Sequence, residues 1–147
     1  MKFRLILDKT REEEVVVTVH EQSKLTDQIE ALVMRHEGID RITAYTEDDM
    51  KVIHFQEIEC ITVENGKTFA IDIHGERFRL KQRLYELEEI LPSSFIKINK
   101  SSLANQNRIE RFKAQYSGAV DVIFKSGYVE YVSRRCFAEI KRRMDKK

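Results

Sequence analysis

The chain is poor in the residues that interrupt or cross-link a fold. Its 147 residues include one proline, five glycines, two cysteines and no tryptophan. So little Pro and Gly excludes a linker-like or low-complexity chain. Cys60 and Cys136 are too few for a disulfide scaffold and fit free thiols in a reducing compartment. No apolar run approaches the ~20 residues of a membrane-spanning helix. The apolar start, Phe3 to Leu7, has neither the length nor the small-residue cleavage site of a signal peptide. The expected location is therefore the cytoplasm. The glycines are isolated, so no Gly-rich phosphate loop exists. His20, His36, His54 and His74 are scattered without zinc-like spacing to a cysteine, so neither a metal nor a cofactor is expected. No convergent catalytic set stands out, and the chain does not read as an enzyme.

What is present is charge, unevenly placed. Residues 1–91 hold 13 Lys and Arg against 20 Asp and Glu, a net of −7. Residues 92–147 hold 13 against 5, a net of +8. The overall +1 conceals this division. A basic half of this density implies a polyanionic partner, because like charges repel unless something meets them. Within that half, Phe95–Asn105 (FIKINKSSLAN) reads as a strand entering a small, polar, cationic loop. Ser133-Arg134-Arg135 is a second segment of the same kind. Hydroxyl, amide and cationic groups grip phosphate oxygens and base edges. Nucleic acid is thus favoured over a small-molecule substrate. The alternative is a protein-interaction module whose basic half docks an acidic protein.

The hydrophobic pattern is mostly that of strands. Lys2–Leu7 and the β-branched run Val15–Val19 read as strands. Ser23 stands where a helix cap belongs, Leu25, Ile29, Leu32 and Val33 follow at helical spacing, and Gly38 closes the helix. Ile42–Tyr45 and Lys51–Phe55 are short strands. Ile58–Val63 and Thr68–Ile73 form a hairpin across Asn65-Gly66, a pair that accepts positive φ at both central positions. Arg77–Leu80 follows. Leu84, Leu87 and Leu91 mark a short helix ended by Pro92. Phe95–Ile98, Ile109–Tyr116, Ala119–Phe124 and Tyr128–Val132 complete the strands. A last helix starts near Ser133 with Phe137, Ile140 and Met144 as its apolar stripe. Strands without β-α-β alternation argue against a doubly wound nucleotide-binding fold.

Several of these segments, taken in order, resemble a known family. Ile58-Glu59-Cys60-Ile61 precedes the Asn-Gly hairpin. Leu84-Tyr85-Glu86-Leu87-Glu88-Glu89 leads to Leu91-Pro92. Then come FIKINKSSLAN and, after Ser126-Gly127, Val132-Ser133-Arg134-Arg135. From about Arg41 to Met144 this succession is similar to the LytTR family of bacterial DNA-binding domains. The resemblance implies a mainly β fold of elongated antiparallel sheets with short helices, preceded here by a small α+β strand–helix extension. It places a DNA-binding domain at residues 41–147 and a dimerisation or regulatory extension at 1–40. It also implies loops entering successive major grooves of double-stranded DNA at direct repeats, a homodimer, and possible restraint by a small membrane-protein regulator. The family's three contact positions fall on Lys67, Lys100 and Arg135. Asn99 stands where the family commonly has His and is counted with the expected DNA-binding residues.

Each of these residues suits the expected role. Arg135 can give two donors to guanine O6 and N7. Lys67 and Lys100 are point cations for phosphate or a base acceptor. Ser101 offers a hydroxyl to phosphate or caps local backbone. Ser133 is placed to cap the last helix, and Asn105 to brace its loop. Arg134, Lys97, Arg108 and Lys113 would widen the basic footprint, as would the tail Lys141-Arg142-Arg143 with Lys146-Lys147.

Overall fold

The computed structural model describes residues 1–145; Lys146 and Lys147, expected to widen the basic footprint, lie outside the described residues. The first regular element is helix α1, Lys24–Glu37. Its start is a reciprocal cap: the Thr26 amide donates to Ser23 Oγ at 3.5 Å and the Ser23 amide donates to Thr26 Oγ1 at 2.9 Å. Gly38 at φ 71° closes it by donating to the carbonyls of Met34 and Arg35. Strands β1 (Arg41–Tyr45), β2 (Met50–His54), β3 (Ile58–Glu64), β4 (Lys67–Asp72) and β5 (Arg77–Leu80) follow. Helix α2 (Leu84–Ile90) precedes β6 (Phe95–Asn99) and β7 (Ser102–Asn105). The chain then forms β8 (Ile109–Ala114), β9 (Val120–Phe124), β10 (Val129–Val132) and helix α3 (Arg134–Asp145).

The strands make two antiparallel sheets. The larger has the order β2-β1-β5-β4-β3-β7-β6, and the smaller β10-β9-β8. Asn65 and Gly66 turn β3 into β4 with φ of 52° and 74°, the paired positive angles their residue types permit. One core lies on the face of the large sheet beneath α1 and α2, with Ile53, Phe55, Ile61, Leu80 and Leu87 at its centre and Met34 and Leu84 packed against it. A second core lies against the small sheet and α3, built from Cys60, Ile71, Ile98, Val122, Phe124 and Ile140. Ile58 and Ile61 face the first core and Cys60 the second, so β3 is buried on both faces. Its near-continuous apolar character follows from that position.

Two expectations need correction. Lys2–Leu7 and Val15–Val19 are not strands; residues 1–23 carry a turn at Lys9-Thr10 but join no ladder. Apolar alternation marks a strand candidate, but only a partner edge makes a strand. Second, the cationic loop after β6 is confined to Lys100 and Ser101, because Ser102–Asn105 is itself a buried strand paired with both β3 and β6. The Ser102 hydroxyl meets that of Thr62 across the ladder at 2.9 Å.

The two sheets are tied by a buried carboxylate. Glu59 on β3 is fully buried. It accepts from Arg108 Nε at 3.1 Å and Nη2 at 2.9 Å. It also accepts from the Ser126 amide at 3.1 Å and from the Ser126 hydroxyl. A buried charge is tolerated only when paired and hydrogen-bonded in this way.

Candidate nucleic-acid interface

One end of the molecule gathers the tips of four connections. The β3–β4 turn is joined to the β6–β7 turn where the Val63 amide donates to the Ser101 carbonyl at 2.9 Å. The start of α3 is joined to β6 where the Ser133 amide donates to the Ile98 carbonyl at 2.8 Å. The β5–α2 link lies alongside, since Thr68 at the start of β4 pairs with Leu80 at the end of β5. Lys67, Lys100 and Arg135, drawn from three separate segments, are thereby mounted on one connected framework, and all three are exposed. None of them has a carboxylate within ion-pair distance among the described residues.

Asn99 has a different place. It is 6 % exposed. Its Nδ2 donates to the Tyr131 carbonyl at 2.7 Å, and its Oδ1 accepts from the Ser101 amide at 2.8 Å. The side chain spans from β10 to the β6–β7 turn and sets the angle of the Lys100 tip. Asn105 braces the other end of β7, donating to the Ile58 carbonyl at 2.9 Å. Ser133 caps α3: the Cys136 amide donates to its Oγ at 3.2 Å. Ser101 is half-buried beside the turn. Arg134 is exposed, and its guanidinium leans toward the Ser117-Gly118 turn, where an added Cβ would meet it at 3.3 Å.

Four cations expected in the footprint are paired within the protein, Arg142 and Arg143 of the tail both with Glu139 on α3. Arg108 serves Glu59, as described above, and Lys97 Nζ lies 3.7 Å from Glu88. For these last two the reason is topological: residues 49 and nine positions away in the chain become neighbours only once the sheets form. Other ionisable groups nearby are kept neutral. Burial, with help from the charges of Glu130 and Glu59, pushes the Cys60 thiol well up. Burial likewise raises the Tyr128 phenol, whose hydroxyl donates to Glu130 at 2.9 Å.

The strand-rich architecture has counterparts among known proteins. The family described as LytTr DNA-binding domain matches residues 48–145. An uncharacterized HTH-type transcriptional regulator of Staphylococcus aureus strain bovine RF122 / ET3-1 is 30% identical over 147 residues, covering 98% of each chain. Its counterpart in strain MSSA476 is 29% identical with the same coverage. Among solved structures, a LytTr DNA-binding domain from Bacillus cereus superposes with a TM-score of 0.65 at 21% identity, over 71% of this chain and 96% of that one. This chain belongs to the LytTR family of DNA-binding domains. The HTH-type wording belongs to the staphylococcal names; in this chain no two helices are consecutive among the described residues.

Proposed function

We propose that the protein is a sequence-specific transcription regulator that presents three loop tips to successive major grooves of double-stranded DNA. The observation that carries this reading is the convergence of Lys67, Lys100 and Arg135 on one framework with no carboxylate partner among the described residues. Phosphate contacts from the lysines and neighbouring amides set register, and Arg135 reads a guanine edge bidentately. Ser133 aims the start of α3, and Arg134 and Ser101 add backbone contacts. Asn99 acts by holding the Lys100 tip rather than by touching a base.

Two copies at direct repeats on one face of the duplex require site centres about 10 or 20 bp apart. Residues 1–40 are the proposed means of pairing the copies, or of restraint by a small membrane protein; residues 41–147 are the proposed DNA-binding unit. Support comes from the exposed apolar side chains of Phe3, Leu5, Ile6, Leu7, Val15 and Val16, and from an acidic balance that does not favour DNA. No helix among the described residues is long and apolar enough to cross a membrane, so membrane restraint would come from the partner. A cytoplasmic location follows from a DNA target. Selection of duplexes from random sequence is the test. Enrichment of a direct repeat with that spacing is expected, and recovery of no enriched sequence would remove the proposal.

A further inference from the structure

Beside the three tips runs a second group of cations that neither the family match nor the tip residues account for. Arg79, Lys81 and Arg83 occupy alternate positions along the end of β5 and the link to α2. Phe78 and Leu80 are buried, so the two-residue period of the strand turns Arg79 outward. All three cations are exposed. Together with Lys100 and Ser101 they line a groove of about 490 Å³, bounded on the far side by Val63, Gly66 and Thr68 of the β3–β4 hairpin. No Asp or Glu lines it. Arg79, Lys81, Arg83 and Lys100 have no ion-pair partner among the described residues.

Like charges crowded on one surface repel one another unless a partner meets them. The ring of Tyr45, 4.6 Å from Lys81 Nζ, offsets part of that charge. Nearby carboxylates are already engaged: Glu64 is bound to Arg77 at 2.6 Å, and Glu86 accepts from the Arg83 amide at 3.1 Å. The groove also contains the side chain of Gln82, whose Oε1 is buried without a hydrogen-bond partner. A half-turn of that amide replaces the oxygen with an NH₂ group, a donor for phosphate.

We infer that this groove is a phosphodiester seat, in which Arg79, Lys81 and Arg83, with Gln82 beneath them, hold the DNA backbone flanking the groove that the Lys67 and Lys100 tips enter. The inference rests on the DNA-binding reading and deepens it. Cations around a polar groove suit any phosphate, but the groove shares Lys100 and the Gly66 turn with the proposed interface, which favours the continuous polyanion over a free anion. Contacts of this kind add affinity on every sequence and carry no base information.

The test compares the wild type with Arg79→Gln, Lys81→Gln and Arg83→Gln, singly and combined. Circular dichroism and thermal melting confirm the fold, and Arg83→Lys serves as the conservative control. Duplex affinity is measured against salt on a random-sequence duplex and on a selected site. Each lost phosphate contact should flatten the log–log salt slope by about 0.9, and affinity should fall alike on both duplexes. Arg83→Lys should keep the wild-type slope. A folded triple variant with an unchanged slope, while the wild type binds DNA, would overturn the seat alone. A wild type that binds no duplex would overturn the DNA reading and the seat with it. Stabilisation by inorganic pyrophosphate that the triple variant loses, with its DNA slope intact, would assign the groove to a free anion and refute the DNA role.

Discussion

The same residue type does opposite work at the junction of the two sheets and at the loop end. Arg108 is anchored by two nitrogens to a carboxylate with no solvent exposure, and its charge is fully used inside the fold. Arg135, 27 positions later, is exposed at the first turn of α3 and has no carboxylate partner among the described residues. A paired cation satisfies a buried anion and supports stability. An unpaired one remains hydrated until a polyanion displaces its water and counterions. Charge counted along the chain is therefore a poor map of a binding surface; what distinguishes the two arginines is the location of the carboxylates.

The contrast can be broken most forcefully at the junction. Glu59→Ala leaves Arg108 and the Ser126 turn without their acceptor and opens the contact between the sheets. It should lower unfolding stability by about 3 kcal/mol or more, the usual cost of removing one partner of a buried pair. Urea unfolding would measure it, and a loss below ~1 kcal/mol would make the bridge incidental. Arg135→Ala is the opposite manipulation. Stability should shift by less than ~0.5 kcal/mol, as for exposed sites elsewhere. Discrimination at one base position should fall by about 1–3 kcal/mol, read from competition between the selected site and single-base variants. Uniform loss on all duplexes would instead place Arg135 on phosphate. The mildest test is Lys97→Ala. Its exposed pair with Glu88 contributes about 0–1 kcal/mol, and because its charge is already engaged the salt slope should not change. A flatter slope would return Lys97 to the footprint.

Local signals in the sequence were sufficient for most of the scaffold. Asn65-Gly66 specifies its turn because few residue pairs accept two positive φ values. Ser23 and Gly38 delimit α1 because an oxygen acceptor and a left-handed residue are what helix ends require. The N-terminal run Val15–Val19 carried an equally strong strand signal yet joined no sheet, since pairing depends on an available edge that the run itself does not encode. Ser102–Asn105 went the other way. Its short polar composition suggested a loop, but insertion between β3 and β6 made it a strand buried on all sides.

The binding end divides along the same line. The presence of a basic half, the polar cationic segments and the cap at Ser133 were all determined by composition and local order. Which cations remain unpaired was decided only by tertiary structure. Glu59 reaches across 49 positions to take Arg108 out of the surface, and the fold lines one groove with Arg79, Lys81, Arg83 and Lys100. Asn99 shows the limit most clearly. As a sequence position it looked like a reader of DNA; the fold sets it between the Tyr131 carbonyl and the Ser101 amide, where both ends of its amide are committed. A side chain's chemistry is written in its identity, but whether that chemistry is still available depends on partners that only the folded chain brings within hydrogen-bond reach.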